Sequence, residues 1–321
     1  AAIMLAATSA TIASTFGNDR IELRQYLHRL WQCSQRTSAM IAFTSHSVHI
    51  NLNGRILPSG QPVLTADNRG FRYGDGIFET MAVKDGRIRL ARHHFERLMS
   101  GTALLQFAAS PQFTPEILTT EVLELCRMNG HSASGRVRLV AFRGDVGDLS
   151  PNYIIQSWPL AADNDAFNEK GLSIDLFPEG RKSCDPFSNL KSNNYLLYTL
   201  AALYAQNSGL DDCLVLNSHG RIADSSIANL FYIKGNCIFT PALSEGCVAG
   251  VMRRYLLESL PAAGFTVREK ETTIDDLESA EEVFLTNALK GIRWVGRLRQ
   301  FTWGSSLARK LYQQVKEGGV F

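Results

Sequence analysis

The sequence lacks the marks of several protein classes. No apolar run reaches the ~20 residues that a membrane-spanning helix needs. No basic block and no basic stripe with interleaved aromatics accompanies the net charge of +2, so we expect neither a membrane nor a nucleic acid as partner. With 321 residues and 20% charged side chains, the chain can bury a full core under an ordinary soluble surface. These features favour a soluble globular protein, which we place in the cytoplasm.

Cysteine and histidine are sparse and scattered, which argues against disulfides and metal sites. None of the six cysteines forms a CxxC pair or has metal-ligand spacing with a histidine. We therefore expect reduced thiols, most of them in the core, as in a cytoplasmic protein. The adjacent His93 and His94 would diverge by about 100° on a helix, which does not suit a shared metal ion.

Residues 1–39 differ in composition from the rest. Ala1 to Ala13 is small and apolar, and the stretch from Arg20 to Arg36 is rich in arginine and poor in acids. Two interpretations stay open, a transit peptide and an extension outside the fold such as upstream sequence read in frame. The apolar stretch precedes the basic one, which is the reverse of a secretory signal. We favour the extension, since the patterned sequence begins just after Met40.

Up to about residue 160 the pattern predicts strands, then helices, then strands again. The dipeptides Asn53-Gly54 and Asp85-Gly86 each separate two strand-like segments, which is the strongest short-range signal for a β-hairpin. Thr114 and Pro115 mark the start of a helix, as cap and first-turn residue. The other elements predicted here are helices over 92–106 and 115–129 and strands over 136–142 and 153–158.

Beyond a short polar stretch, helices are predicted among short strands. An amphipathic helix over 193–207 closes at Gly209, and another follows Gly250 to about residue 260. The short strands are predicted at 172–177, 213–216, 221–223, 230–234 and 237–240. The predicted fold class is thus α/β (α+β), with a small N-terminal α+β domain over 40–160, a linker over 161–168 and a larger C-terminal α/β domain over 169–321.

A lysine and a later carboxylate, both in apolar surroundings, carry the first indication of chemistry. Lys191 lies within Ser188–Leu196, and Asp224 lies near the start of Ala223–Phe231. A lysine amine can form a Schiff base with the aldehyde of pyridoxal phosphate. A carboxylate that faces the pyridine nitrogen keeps it protonated, so that the ring can accept electrons. Either residue alone says little, because a lysine before a helix is usually solvated.

The surrounding motifs make the case. Five of them occur in one order: Arg69–Glu79, His94–Leu98, Asn189–Lys191, Asp224–Phe231 and Gly250–Arg253. In these motifs the chain resembles the class IV aminotransferases, the fold-type-IV pyridoxal-phosphate enzymes, which include branched-chain aminotransferases, D-amino-acid aminotransferases and aminodeoxychorismate lyases. The resemblance extends from about Val48 to about Val295. It implies pyridoxal 5'-phosphate in a cleft between two domains, and a homodimer with closed symmetry.

The resemblance implies roles for the two residues singled out above. Lys191 is the Schiff-base lysine, and its released amine moves a proton between the substrate carbon and the cofactor. Asp224 stands where the family usually has glutamate, which keeps the charge at the ring nitrogen but shortens the reach by one methylene group. The alternative for Asp224 is a turn aspartate that caps the Ser225-Ser226 bend.

The resemblance also implies a phosphate site. Arg97 matches the phosphate-binding arginine, whose guanidinium suits a phosphate dianion; the alternative is a surface arginine paired with Glu96. Backbone N–H groups at the start of the helix after Gly250 form the second anion contact. Val251 and Met252 stand there in place of the Ile-Thr of branched-chain enzymes, and look more like the lyase branch.

Two further cofactor contacts are implied. Asn287 matches the position of another polar phosphate ligand. Tyr195 is the candidate for the hydrogen bond to the ring hydroxyl, although it lies four positions after Lys191 rather than five. The alternative for Tyr195 is a helix tyrosine that packs on the core.

Four residues are candidates for contact with the substrate. Arg138 resembles the strand arginine that meets the substrate carboxylate in branched-chain enzymes, and Arg143 lies nearby at the start of a glycine-containing loop over 144–147. We expect one of the two to receive a carboxylate, and exposure on an edge strand is the alternative. Tyr73 and Phe78 are expected to wall the pocket, with core packing as the alternative.

We predict a transaminase that moves an amino group between a small, branched-chain amino acid and a 2-oxo acid. Arg138 and the 144–147 loop favour this reaction. Val251, Met252 and Asn194 favour the aminodeoxychorismate lyase reaction, which eliminates pyruvate and leaves an aromatic amine. A catalytically inactive cofactor-binding homologue is a third alternative, which the aspartate at position 224 leaves open.

Overall fold

Two β-sheets, each made by a separate stretch of chain, form the framework. The computed structural model describes residues 48–144, 147, 149–161, 164 and 166–319. The predicted extension over 1–39 lies outside the described residues, as do parts of the 144–147 loop and the 161–168 linker. The described residues belong to one compact unit, Ser47–Phe321. The mixed α and β architecture was predicted from the sequence, whereas the boundaries of its two domains stay predictions.

The first sheet has six strands in the order β2-β1-β6-β5-β3-β4. Both predicted hairpins are confirmed, because Leu52 pairs with Arg55 and Lys84 pairs with Arg87 across two-residue turns with positive φ. The elements of this stretch are β1 His49–Leu52, β2 Arg55–Pro58, α1 Arg69–Tyr73, β3 Gly76–Lys84, β4 Arg87–Ile88, α2 Ala91–Leu104, α3 Pro115–Met128, β5 Ser134–Arg143 and β6 Pro151–Pro159.

The two faces of this sheet have different tasks. One face packs against α2 and α3 and forms a core with fully buried Leu98, Leu118 and Leu139. Because side chains alternate along a strand, Arg136 and Arg138 of β5 point to the other face. The predicted start of α3 is confirmed, since the Thr114 hydroxyl accepts a hydrogen bond from the Ile117 amide at 3.4 Å.

The second sheet has nine strands, eight of them in the order β12-β11-β10-β13-β14-β7-β8-β9, with β15 paired to β14. Helix α5 packs on one face of this sheet, through Met252 and Leu256 against Phe231 and Phe284. The elements are β7 Leu172–Leu176, α4 Leu196–Asn207, β8 Asp212–Leu216, β9 Ile222–Ser225, β10 Asn229–Lys234, β11 Cys237–Pro241, α5 Val251–Ala262, β12 Thr266–Lys270, α6 Ile274–Glu278, β13 Glu282–Asn287, β14 Gly291–Leu298, β15 Phe301–Thr302 and α7 Ser306–Glu317.

Helix α4 begins at Leu196, three residues later than predicted. The preceding residues are held by β3 instead: Ser192 forms an isolated bridge with Ile77, and the Asn193 amide donates a hydrogen bond to the Gly76 carbonyl at 2.9 Å. The five described cysteines are free, and Cys126, Cys213 and Cys247 are buried. Among the described residues, no helix combines the length and the apolar character needed to cross a membrane.

Candidate active site

Lys191 lies on a short segment that pairs with the start of β3. The Phe78 amide donates a hydrogen bond to the Lys191 carbonyl at 2.9 Å. A Cβ atom at Gly76 would lie only 2.3 Å from the Ala141 carbonyl oxygen and 2.7 Å from Nδ2 of Asn193. Glycine is therefore required where the lysine segment approaches the sheet, which explains one glycine of the first motif.

The Lys191 side chain lies between two aromatic rings and several charges. Its Nζ is 4.5 Å from the ring centroid of Phe78 and 5.3 Å from that of Tyr195. Burial, and next the positive charge of Arg97, lower the pKa of Lys191 to about 7, although nearby carboxylates oppose both effects. The amine is thus partly neutral near pH 7, which is the state that a Schiff-base lysine requires.

Arg97 projects from α2 and binds a buried carboxylate. Its Nε and Nη2 donate to Glu79 at 2.7 and 2.5 Å, and its Nη1 donates to the Ala249 carbonyl at 3.0 Å. The alternative pairing with Glu96 is not observed, because Glu96 binds Arg254, at 2.7 Å. Arg97 is consequently held next to the residue that precedes Gly250, the N-cap of α5.

Glu79 has a second partner, His94, which is completely buried. Burial alone would raise the pKa of Glu79, but the charge of Arg97 and the contact with His94 outweigh it and lower the pKa to about 2. Burial lowers the pKa of His94, so the neutral ring donates from Nδ1 to Glu79, 2.6 Å away. Neither residue was singled out from the sequence, although both lie inside the two motifs that carry the resemblance.

The N-terminus of α5 can bind an anion. No side chain caps it, and Val251 and Met252 are buried, so that their backbone N–H groups and not their side chains are available there. A Cβ atom at Gly250 would lie 1.9 Å from Oδ1 of Asn229, whose amide group donates to the Val248 carbonyl at 2.8 Å. Glycine at this position is required by that approach.

Asp224 of β9 is buried in a polar cluster. Its Oδ2 accepts a hydrogen bond from the Val248 amide at 2.9 Å, and the Tyr198 hydroxyl lies 3.1 and 2.9 Å from its two oxygens. Burial raises the pKa of Asp224, and the nearby Lys182 opposes this rise. The alternative of a turn aspartate does not hold, because the hydroxyl groups of Ser225 and Ser226 donate to Asp212 instead.

Tyr195 and Tyr198 lie one turn apart at the start of α4. The Tyr195 hydroxyl donates to the Ser226 carbonyl at 3.3 Å, and its ring centroid is 4.7 Å from that of Tyr198. Tyr195 therefore borders the Lys191 side chain on one side and the loop after Asp224 on the other. Tyr198 was missed, although its spacing from Tyr195 is that of neighbours on one helix face.

The two candidate carboxylate-binding arginines have different surroundings. Arg138 lies with its guanidinium 4.6 Å from the Phe78 ring centroid, and its buried Nε has no hydrogen-bond partner among the residues that the structure describes. Arg143 is engaged by Asp75, to which its Nη1 donates at 2.6 Å. Arg138 is also close enough to Lys191 to lower its pKa. The structure thus brings Arg138, but not Arg143, to the lysine.

The two predicted wall residues also separate. Phe78 is 7% exposed and packs edge-on against Tyr195, with ring centroids 5.3 Å apart. Tyr73 is 56% exposed at the end of α1, and the guanidinium groups of Arg69 and Arg72 lie over its ring. Only Phe78 borders Lys191 among the contacts of the described residues.

Comparison with known proteins decides the family. The sequence profile described as amino-transferase class IV matches residues 76–298. The chain belongs to the class IV aminotransferases. This family is pyridoxal-phosphate dependent, so the predicted cofactor and enzyme class are confirmed. The resemblance recognised in the five motifs is likewise confirmed.

Relatives of more than one activity occur among the similar proteins. The chain is 29% identical over 264 residues to an aminodeoxychorismate lyase of Bacillus subtilis, covering 80% of this chain and 88% of the relative. It is 27% identical over 281 residues to a putative branched-chain-amino-acid aminotransferase of Methanocaldococcus jannaschii, covering 84% and 95%.

Solved structures bear out the fold. A branched-chain aminotransferase of Thermoproteus uzoniensis matches with a TM-score of 0.76 at 22% identity, covering 85% of this chain and 95% of that one. The 4-amino-4-deoxychorismate lyase of Pseudomonas aeruginosa matches with a TM-score of 0.74 at 28% identity, covering 85% and 100%. The predicted fold-type-IV architecture is confirmed.

The residues of this site suit the aldehyde, the ring nitrogen and the phosphate of pyridoxal phosphate. Lys191 offers a partly neutral amine, Asp224 offers a buried carboxylate, and Arg97 with the free N-terminus of α5 offers an anion site. A further observation is the Thr286 hydroxyl, which is buried and has no hydrogen-bond partner among the described residues. A buried orphan donor at this place suits a phosphate oxygen.

Thr286 is a second candidate on β13, beside Asn287, whose role as a phosphate ligand stays a prediction. Thr286 pairs with Asn229 on the face that α5 covers, whereas Asn287 points to the opposite face. Oδ1 of Asn287 accepts hydrogen bonds from the backbone amides of Leu289 and Lys290 at 3.1 and 2.8 Å, so it stabilises its own turn. Strand pairing explains this difference between the two residues, because neighbouring positions on one strand face opposite ways.

Proposed function

We propose that this enzyme transfers an amino group between a small, branched-chain amino acid and a 2-oxo acid. Bound pyridoxal phosphate supplies an electron-withdrawing ring at the substrate's α-carbon. Lys191 Nζ, as a partly neutral amine, holds the cofactor and moves the α-proton. Asp224 would face the ring nitrogen, and Arg97, the α5 amides and Thr286 would hold the phosphate. The low pKa of Lys191 and the burial of Asp224 argue against an inactive homologue.

The observation that carries the proposal is the state of Arg138. Burial lowers the pKa of this guanidinium, and the charge of Arg136 lowers it further, yet no anion contacts its Nε among the described residues. A partly buried guanidinium whose Nε has no hydrogen-bond partner gains from an incoming carboxylate. Arg138 would therefore orient the substrate carboxylate, while Phe78 and Tyr195 supply an apolar wall for a branched side chain.

A half-reaction tests the proposal. Full-length protein loaded with cofactor is mixed with L-leucine or L-isoleucine, and the absorption band of the lysine-bound cofactor is followed together with the 2-oxo acid product. We expect the band to fall, and to return when 2-oxoglutarate is added. Arg138→Met should raise KM for the amino acid about tenfold or more, since a charged hydrogen bond contributes about 1.5–3 kcal/mol. Arg297→Met, on an exposed position of β14, is the control.

A second candidate is the aminodeoxychorismate lyase reaction. Arg136 lies two residues from Arg138 on the same face of β5, so two cations point to the side on which Lys191 lies. Such a pair suits a substrate with two carboxylates. The 28–29% identity to lyases supports this candidate as well. Pyruvate release from aminodeoxychorismate, with no amino transfer from any L- or D-amino acid, would favour the lyase and contradict the transaminase.

We further propose a homodimer, as the resemblance implies. Leu196, Leu200 and Leu203 form a stripe along α4 and are 70%, 43% and 46% exposed in the single chain. Spacings of three and four residues place them on one helix face. Sedimentation equilibrium of the holoenzyme should give twice the chain mass, and a monomer at micromolar concentration would contradict the proposal. A cytoplasmic location stays a prediction.

A further inference from the structure

A second buried lysine lies next to Asp224. Lys182 is 8% exposed and follows β7, where its amide donates to the Leu216 carbonyl at 2.9 Å. Its Nζ lies 3.8 Å from Oδ2 of Asp224 and contacts the Tyr198 hydroxyl. A lysine is seldom this buried unless it is paired. The burial of Lys182 is thus explained by the carboxylate and the hydroxyl beside it.

The direction of the hydrogen bonds in this cluster follows from the atoms involved. A lysine ammonium can only donate, so Lys182 donates to the Tyr198 oxygen. The Tyr198 hydroxyl has one hydrogen, which it donates to Asp224. Burial raises the pKa of Tyr198, so this hydrogen is retained. The chain of donors therefore runs from Lys182 through Tyr198 to Asp224.

The carboxylate keeps one side open. Oδ2 of Asp224 accepts from the Val248 amide and faces Lys182, whereas Oδ1 has Tyr198 as its one hydrogen-bond partner among the described residues. A carboxylate oxygen offers two lone pairs, so Oδ1 can accept one more hydrogen bond. The titratable groups that interact electrostatically with Asp224 are Lys182, Lys191, Tyr195, Tyr198 and Cys247.

We propose that Lys182 is a positioning residue that, together with Tyr198, keeps the Asp224 carboxylate ionised and oriented toward the ring nitrogen of the cofactor. The carboxylate of an aspartate lies closer to the backbone than that of the longer glutamate, and so it is more deeply buried. Burial disfavours the ionised form unless a nearby cation compensates. Lys182 supplies that cation without touching the substrate. The inference rests on the proposed place of Asp224 in the function above.

The test is the pH dependence of cofactor affinity in the full-length chain. The dissociation constant of pyridoxal 5'-phosphate is measured from about pH 5.5 to 9 for the wild type, Lys182→Met and Lys182→Arg. Loss of the cation leaves Asp224 protonated up to a higher pH. Lys182→Met should bind about tenfold more weakly near pH 6 and within about twofold of wild type near pH 9, where the carboxyl is ionised in both.

Control and companion variants complete the design. Lys182→Arg keeps the charge and should follow the wild-type profile, as should Lys234→Met, which removes an exposed lysine on β10. Tyr198→Phe removes the hydroxyl between Lys182 and Asp224, so it should weaken cofactor binding at low pH, as Lys182→Met does. The test therefore stays decisive if one of the two variants folds poorly. In an Asp224→Asn background, adding Lys182→Met should change the affinity by less than about twofold at any pH.

Two outcomes separate the inference from the proposed function. Suppose that Lys182→Met binds the cofactor more weakly than wild type by the same factor at every pH, and that Asp224→Asn also binds it more weakly. Lys182 would then be only structural, and the inference would be overturned. If Asp224→Asn instead binds the cofactor as tightly as wild type at every pH, Asp224 does not contact the ring nitrogen. The proposed roles of Asp224 and of Lys182 would then both be wrong. Melting temperatures of all variants are measured in parallel.

Discussion

Arg97 and Glu79 form a bidentate ion pair in which the carboxylate is 2% exposed and the guanidinium side chain 14% exposed. Nε and Nη2 donate to this carboxylate, and Nη1 donates to the Ala249 carbonyl. The arginine is therefore oriented before any phosphate arrives, so that binding costs little side-chain entropy. A predicted phosphate ligand thus depends on a buried acidic residue from another element of the fold.

Glu79→Gln should destabilise the fold by about 3 kcal/mol, because removing one partner of a buried pair leaves the other charge uncompensated. Urea denaturation measures the change. Glu96→Gln, in the same helix as Arg97 but with an exposed ion pair to Arg254, is the matched control and should cost less than about 1 kcal/mol. Equal stabilities of the two variants would contradict the importance of the buried pair.

Capture of the cofactor by the apo form should accelerate as pH rises and level off above about pH 7.5–8. The reason is that the neutral amine is the nucleophile, and its fraction grows through the Lys191 pKa of about 7. Stopped-flow absorbance measures the rate. Arg97→Met should move the midpoint upward, because Arg97 is the nearby cation that lowers this pKa most. A midpoint near the ordinary lysine value would show that the amine is solvated.

Borohydride reduction of the loaded protein should attach the cofactor to Lys191. The buried amine between Phe78 and Tyr195 is the one that the site offers. Peptide mapping by mass spectrometry identifies the modified lysine. A reduced cofactor on Lys182 or Lys290 would refute the assignment, and Lys191→Ala, which should give no modified peptide, is the control.

Asp224→Ala should slow catalysis by roughly 10²–10⁴-fold, as expected when a key charge or proton contact is lost. Asp224→Glu should stay active, because the longer side chain keeps the charge. Steady-state kcat is the measurement, taken at saturating cofactor so that weak binding does not imitate slow chemistry. An alanine variant as active as the wild type would mean that the carboxylate has no part in the reaction.

Thr286→Val should weaken pyridoxal phosphate binding about tenfold while leaving the affinity for pyridoxal, which lacks the phosphate, nearly unchanged. The hydroxyl would donate to an anion, and such a hydrogen bond contributes about 1.5–3 kcal/mol. Equilibrium titration of both ligands gives the ratio. Thr240→Val is the matched control, because that buried hydroxyl already donates to the Leu230 carbonyl at 2.7 Å. An equal loss for both ligands would contradict a phosphate contact.

Much of the local structure could be predicted from the sequence. Both hairpins follow from turn dipeptides with positive φ, and α3 follows from its Thr114 cap, since these signals act within a few residues. The final third was predicted less completely. Strand β12 is largely exposed and pairs in parallel with β11, so its hydrophobic pattern is weak and its partner is distant in sequence. Strand β14 carries an irregularity that interrupts its alternation.

The sequence by itself determined the family and the residues of its motifs, among them Lys191, Asp224 and Arg97, because each motif is a short stretch whose order along the chain carries the signal. The tertiary structure decided their partners. Glu79 at Arg97, and Lys182 with Tyr198 at Asp224, come from other elements of the fold. Strand register also places Thr286 and Asn287 on opposite faces of the sheet, because a shift of one residue on a strand turns a side chain to the opposite face.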